Sequence, residues 1–347
     1  MRAMQWEDKL LGCLAGAAIG DSMGGPTEER STEMILEDFG GYVTDFRDAP
    51  LDTWAYGAKA GMVTDDFSLA YFTLEAAVAA GGRVTRAVAE QALLKWAQYP
   101  QYFDYNVGPT TKAAVRALRG EPVPPRDIPV QVVCENGRAS NGAAMKIGPV
   151  ALLSGGDVDR AIADAVEACL PTHPYDIPLA GACAVAAAVA KALQPGAALE
   201  ELRDAGLYGA REGMRLGALR GHRLAGPSVE RRIALAWEIG QRHAGDWRAG
   251  MAEIRDLIGN GLATVEAVPA AFGLLAAAQG RVMETVYGGV NIGGDTDTIA
   301  TIAGAMAGAF AGAGEIPPAH IDLIERQNQF DLRGLAQTVA RFLAGER

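Results

Sequence analysis

The chain has 347 residues, of which 49% are apolar and 21% charged, with a net charge of −11 and a mean hydropathy near zero. That is the make-up of a soluble globular protein with ample length for a sizeable core. The negative balance argues against a nucleic-acid backbone or an anionic membrane as main partner, but leaves room for a phosphorylated small substrate at a locally positive or metal-lined site.

Trp6, Leu10 and Leu14 recur every four residues and predict a first helix. It runs into Gly20-Asp-Ser-Met-Gly-Gly-Pro-Thr-Glu28, with Asp21 directly after a small-residue run and Glu28 after a Gly-Gly-Pro turn. A carboxylate on a loop rooted in a rigid helix is a candidate for proton transfer. A solvated loop acid is the plainer reading of either residue. Val63-Thr-Asp-Asp66 then opens an apolar run, and helices are predicted over 67–80, 84–97 and 110–119, the last starting at Gly108-Pro-Thr-Thr111.

The stretch from Gly120 to Ser140 carries four prolines and reads as a long surface loop, with 128–133 as its only strand-like segment. Asn141-Gly-Ala-Ala-Met-Lys146 opens a predicted helix over 142–154, whose free N–H groups could hold an anion. A plain Asn cap is the simpler reading of these residues alone. Helices follow over 157–169, 177–193, 228–244, 246–258 and 265–278. Thr172-His-Pro174 precedes the small-residue helix; with no second His or Cys beside it, His173 does not read as a zinc ligand. Small-apolar runs near 182–190 and 299–313 are too short for a membrane span. Leu332, Leu335, Val339 and Phe342 predict a last helix. Cys13, Cys134, Cys169 and Cys183 have no CxxC spacing and read as reduced thiols, and the N-terminus has no signal-peptide pattern, so a cytoplasmic protein is expected. No stretch reads as a linker, which predicts one all-α domain over 1–347.

The richest segment is Tyr287-Gly-Gly-Val-Asn-Ile-Gly-Gly-Asp-Thr-Asp-Thr298. Successive residues on a helix are ~100° apart, so Asp295 and Asp297 converge only if the first lies in the entering turn. Gly293 and Gly294 can build that turn. Asp65 and Asp66 likewise need a non-helical first residue to aim at one point. Two acid pairs, each with a threonine, suggest one cluster of hard oxygen ligands suited to Mg²⁺, Mn²⁺ or Ca²⁺. N-capping is the competing explanation; it accounts easily for one acid at each helix start, and less easily for pairs at both. No GxSxG, Walker A or GxGxxG pattern is present.

Taken together, Gly12–Glu28, Thr64-Asp65-Asp66, Asn141–Lys146, Thr172-His173 and Gly293–Thr298 resemble the ADP-ribosylglycohydrolase family, in the family's order. The resemblance implies a compact, single-domain orthogonal helical bundle with two divalent cations, Mg²⁺ or Mn²⁺. It implies Thr64, Asp65, Asp66, Asp295, Asp297 and Thr298 as metal ligands, and Glu28 as a flap acid that is catalytic or a gate. Asn141, Gly142, Met145 and His173 fall where the family contacts the diphosphate and distal ribose; Asp21, Gly293 and Gly294 are also expected beside the substrate. The implied reaction is hydrolysis of a ribosyl C1″ bond, with an ADP-ribosylated protein or a small ribosyl compound as substrate. Alternatives are a nucleoside-type N-ribosyl hydrolase on the same fold and a non-catalytic ADP-ribose binder. Four departures stand out: Lys146 where the family often has Arg, Phe67 where Thr is common, no second His after His173, and Asn106 where arginine-specific members have Asp. The last puts arginine release in doubt.

Overall fold

Glycines at 12, 16, 20 and 24 recur every four residues and therefore share one face of the first helix. That face decides the centre of the fold. Helix α1 (Arg2–Gly24) lies lengthwise on α15 (Thr296–Ala311), and the two backbones touch. A Cβ on Gly16 would sit well inside contact distance of the Gly304 carbonyl, and one on Gly20 inside that of Ala300. In the other direction, a Cβ on Gly308 would strike the Gly12 carbonyl.

This computed structural model describes residues 2–104, 107–122 and 134–345. Asn106 and the strand-like 128–133 lie outside the described residues. The remaining helices are α2 (Thr32–Phe39), α3 (Asp65–Ala79), α4 (Arg86–Trp96), α5 (Pro100–Phe103), α6 (Pro109–Leu118), α7 (Ile147–Ala151), α8 (Val158–Cys169) and α9 (Asp176–Leu193). They continue with α10 (Leu199–Arg220), α11 (Val229–Arg242), α12 (Trp247–Leu257), α13 (Thr264–Ala277), α14 (Val282–Asn291), α16 (Pro318–Asn328) and α17 (Leu332–Leu343). The fold is all-α; among the described residues only two isolated bridges occur, Ser140 with Ala263 and Tyr175 with His222.

Local chemistry sets the helix starts. Ser31, Thr85, Asp157, Ser228, Asp246 and Asp331 each accept a backbone N–H from the first turn that follows. Helix α9 is long and apolar enough to cross a membrane, yet 94% of it is buried within the protein, between α8, α10 and α15.

The structure adds helices that periodicity alone does not reveal. Helix α10 carries Gly206, Gly209, Gly213 and Gly217, residues that weaken an isolated helix. Their bare faces let it press onto the α9 backbone, so tertiary contact offsets the propensity cost. Helices α2, α14 and α16 are also additions. The predicted helix over 142–154 instead breaks into a 3-10 turn at Asn141–Ala143, α7, and a second 3-10 turn at Leu152–Ser154. Pro149 lies in the first turn of α7 and cannot donate a bond to a preceding turn.

Candidate active site

Helices α3 and α15 point their N-termini at one place. At the start of α3, Thr64 is the capping residue, and its Oγ1 accepts from the Asp66 amide at 3.3 Å. Asp65 and Asp66 are therefore the first two helical residues, not a turn residue and a helical one as expected. Both still reach the site because side chains at a helix mouth splay around its open end. The Asp21 carboxylate arrives from α1 and accepts from the Thr64 amide at 2.9 and 3.1 Å and the Phe67 amide at 2.9 Å. Asp21 is fully buried and does not line the cavity; its bonds orient α3.

At the start of α15, Asp295 is the residue before the helix, but its side chain makes no capping bond. Capping therefore does not explain it. Its Oδ2 instead accepts from Asn141 Nδ2. Asp297 follows inside the helix, and its Oδ1 accepts from the Thr298 amide at 2.9 Å. Gly293 and Gly294 have φ of +84° and +65° and make the entering turn. They do not reach the cavity: a Cβ on Gly293 would lie 2.8 Å from the Arg30 carbonyl, and one on Gly294 would press on the Asn260 backbone. Their part is to let the chain pass there. The Gly294 amide donates to Arg30 O and the Glu29 amide to Gly294 O, both at 2.9 Å, which straps the Glu28 segment to this turn.

Two residues not singled out in the sequence complete that strap. Thr27 Oγ1 lies 2.7 Å from Val290 O and 3.1 Å from Thr296 Oγ1, while the Thr296 hydroxyl donates to Gly24 O at 2.9 Å. Both are fully buried, and only their position in three dimensions gives them a role. Arg30 pairs with Asp38 at 2.9 Å and Asp52 at 2.6 Å, tying the same strap to α2 and to the loop after it.

Glu28, Asp65, Asp66, Asp295 and Asp297 are all nearly buried and line one cavity of about 430 Å³, together with Thr298. Ligand oxygens of Glu28, Asp295 and Asp297 lie within 4.8 Å of one another. Thr64 lines a second cavity, but its Oγ1 turns to the mouth of α3, where it accepts from the Asp66 amide. Among the described residues none of the carboxylates forms an ion pair. Burial first, then Asp297, Asp295 and Asp65, raises the Glu28 pKa well above the ordinary carboxylate range. Burial pushes Asp297 up to about 7, with Asp21 adding to it. Burial likewise pushes Asp21 up to about 6, against the three bonds from Thr64 and Phe67. Asp66 is raised by burial and by Asp297, Asp65, Asp21 and Asp295, and its Oδ2 is sealed from solvent with no hydrogen-bond partner.

A buried carboxylate oxygen without a partner, as at Asp66, is costly. A cluster of buried carboxylates with no ion-pair partner, all offering oxygen, is what a hard divalent cation neutralises. The residues present therefore fit a metal centre.

The opposite wall is built by loops. Asn141, Gly142, Met145 and His173 all line the cavity. Gly108–Thr111 at the start of α6 joins them, as do Asn136-Gly137 and Leu262-Ala263, which sequence did not mark. The Asn141 amide donates to Leu262 O at 3.0 Å and the Thr264 amide to Ala139 O at 2.8 Å, which fixes two of these loops together.

Comparison with known proteins returns matches along nearly the whole chain. The ADP-ribosylglycohydrolase family model matches residues 2–346. The chain is 32% identical over 342 residues to the uncharacterized protein YegU of Escherichia coli (strain K12), covering 96% of this chain and 97% of that one. It is 26% identical over 360 residues to human ADP-ribosylhydrolase ARH3, covering 96% and 93% of the two chains. A solved structure described as an ADP-ribosylglycohydrolase-related protein complex superposes with a TM-score of 0.68 at 21% identity, over 98% of this chain and 99% of that chain.

Proposed function

The chain belongs to the ADP-ribosylglycohydrolase family, and on that premise we propose that it is a divalent-cation-dependent hydrolase that cleaves a ribosyl C1″ bond and frees ADP-ribose from an acceptor. One observation carries this reading: carboxylates from α3, α15 and the Glu28 strap, none of them in an ion pair, converge under a cavity whose far wall is Asn141, Gly142 and His173.

Thr64, Asp65, Asp66, Asp295, Asp297 and Thr298 are the residues that would hold two ions, Mg²⁺ or Mn²⁺. When bound, such cations neutralise the acid floor and polarise oxygens brought against it. The chain's own residues do the rest. Asp21 holds the α3 mouth in place through the Thr64 and Phe67 amides. Asn141 fixes the rotamer of Asp295. Glu28, whose carboxyl pKa is raised by burial and by Asp297, Asp295 and Asp65, can give a proton to the atom leaving C1″, or take one from the attacking water. The anomeric carbon gains oxocarbenium character as that bond breaks, as in glycoside cleavage generally. Gly142, Met145 and His173 line the wall on which the diphosphate and distal ribose would lie.

The test is a substrate panel of ADP-ribosyl-serine, ADP-ribosyl-arginine, poly-ADP-ribose and common nucleosides, run with Mg²⁺, with Mn²⁺ and with a chelator. Free ADP-ribose from at least one acceptor, lost on chelation, is the expected result. Turnover of nucleosides alone would replace the reading with N-ribosyl hydrolysis, and turnover indifferent to the chelator would remove the cations from it.

A further inference from the structure

We propose that Lys146 and Thr172 are positioning residues that hold His173 as its Nε2–H tautomer, so that the ring shows the cavity a hydrogen-bond donor and no lone pair.

The inference follows from counting donors and acceptors. Lys146 is only 3% exposed, and its Nζ donates to Thr172 Oγ1 at 2.9 Å. An ammonium has no acceptor, so the Thr172 oxygen must accept there and direct its own single proton elsewhere. Two groups are near enough to be considered: the Cys169 carbonyl at 3.4 Å and His173 Nδ1 at 2.8 Å. The first is beyond the ordinary O–H···O range of about 2.5–3.0 Å. It is also already engaged, accepting from the His173 amide at 2.8 Å and the Thr172 amide at 3.1 Å. The Thr172 proton therefore goes to Nδ1. In a neutral imidazole the other nitrogen then carries the hydrogen. Burial, with Lys146 and Arg138 adding to it, pushes the His173 pKa down to about 3, which keeps the ring neutral.

The far edge of the ring is where such a donor is useful. Nε2 lies 3.2 Å from Ser140 Oγ, and a Cβ on Gly142 would lie 2.8 Å from both Cε1 and Nε2. The ring edge thus rests on a bare glycine in the cavity wall. Fixed in this way, His173 fits an electron-rich oxygen of a ligand, a phosphate or hydroxyl oxygen, and has no site with which to take a proton from water. Proton handling is left to Glu28. What His173 meets rests on the glycohydrolase reading; which nitrogen carries its proton does not.

Long-range proton–nitrogen correlation on the full chain labelled with ¹⁵N-histidine separates the two. The chain has four histidines, so the His173 signals are identified by their loss in His173→Asn. The wild type should show Nε2 protonated. Thr172→Val, which keeps the shape and removes the hydroxyl, should bring in the Nδ1–H form; Thr172→Ser should restore the wild-type pattern. Lys146→Met should loosen the preference, and Thr172→Val carries the test if that variant does not fold. In turnover, Thr172→Val should raise KM about tenfold, the scale of one hydrogen bond to a charged group, with kcat within about threefold. Protonation at Nδ1 in the wild type, or a tautomer unchanged in Thr172→Val, overturns the proposal. The expected tautomer in a protein that turns over no ribosyl substrate would sink the functional reading and still support the positioning of His173 by Thr172 and Lys146.

Discussion

Asp66→Asn should raise stability without divalent cations and lower it with them. The Asp66 Oδ2 is sealed and unpartnered, and four other aspartates push its pKa up together with burial. An asparagine keeps the shape and removes one charge from the cluster. Leaving a buried polar oxygen unsatisfied costs about 1–3 kcal/mol, and more for a charged group, so the relief in a chelated protein is of that order. One kcal/mol moves Tm by roughly 2 °C in a chain of this size, giving a rise of about 2–6 °C. A cation at a hundred times its Kd adds about 2.7 kcal/mol to the wild type, or about 5 °C, by binding only the folded form. The variant should forfeit most of that gain, because an amide oxygen brings no charge to the ion. The two melting curves should therefore change order between chelator and saturating Mg²⁺ or Mn²⁺, and calorimetric titration should show the lost affinity. A variant that melts below wild type in chelator, or keeps the full cation shift, would refute the account of the cluster.

Three further outcomes are expected. Glu28→Gln should lower kcat by about 10²–10⁴-fold with little change in KM, since an amide holds no transferable proton; retention of more than about a third of wild-type kcat would remove Glu28 from the chemistry. Gly16→Ala should cost about 3 kcal/mol or more in urea unfolding, because its Cβ would meet a backbone carbonyl that cannot turn aside; a loss below about 1 kcal/mol would show that the helix seam can open. In chelator, the stability of wild type relative to Asp297→Asn should fall as pH rises from about 4 to about 7. The sign follows from the direction of the shift: the folded pKa is raised to about 7, so the unfolded chain releases its proton first. A gap between the two melting temperatures that stays constant across that range would contradict the shift.

The acid pairs were legible in the sequence because residue type, spacing and the adjoining small-residue runs all lie within a few positions. The expectation that Asp295 enters its helix from a turn also holds. Asp21 was misread for a definite reason. The first helix looked finished at Gly20, whereas α1 continues to Gly24, so the acid stands on a helix and caps a neighbour. Gly293 and Gly294 do form the turn that their sequence predicts, but what they approach is backbone of Arg30 and Asn260, which no local pattern reveals. The join of Lys146 to Thr172, 26 positions apart, and the contact of Thr27 with Thr296, 269 apart, exist only once the helices are packed.

The seam between α1 and α15 has a consequence for how such a protein can diverge. Asp297 rests against Gly24 with no side chain between them, and Asp21 and Glu28 lie on the same stretch of chain. The acid floor is thus mounted on a joint of main chain against main chain, where nearly every substitution is a collision. The facing wall also has loop positions at 136–137 and 262–263, which can change shape at far smaller expense to the fold. Variation is therefore channelled. New leaving groups can be admitted by redrawing the loops while the reaction centre stays where it was, and a designer seeking altered specificity should randomise those positions and leave the glycine seam untouched.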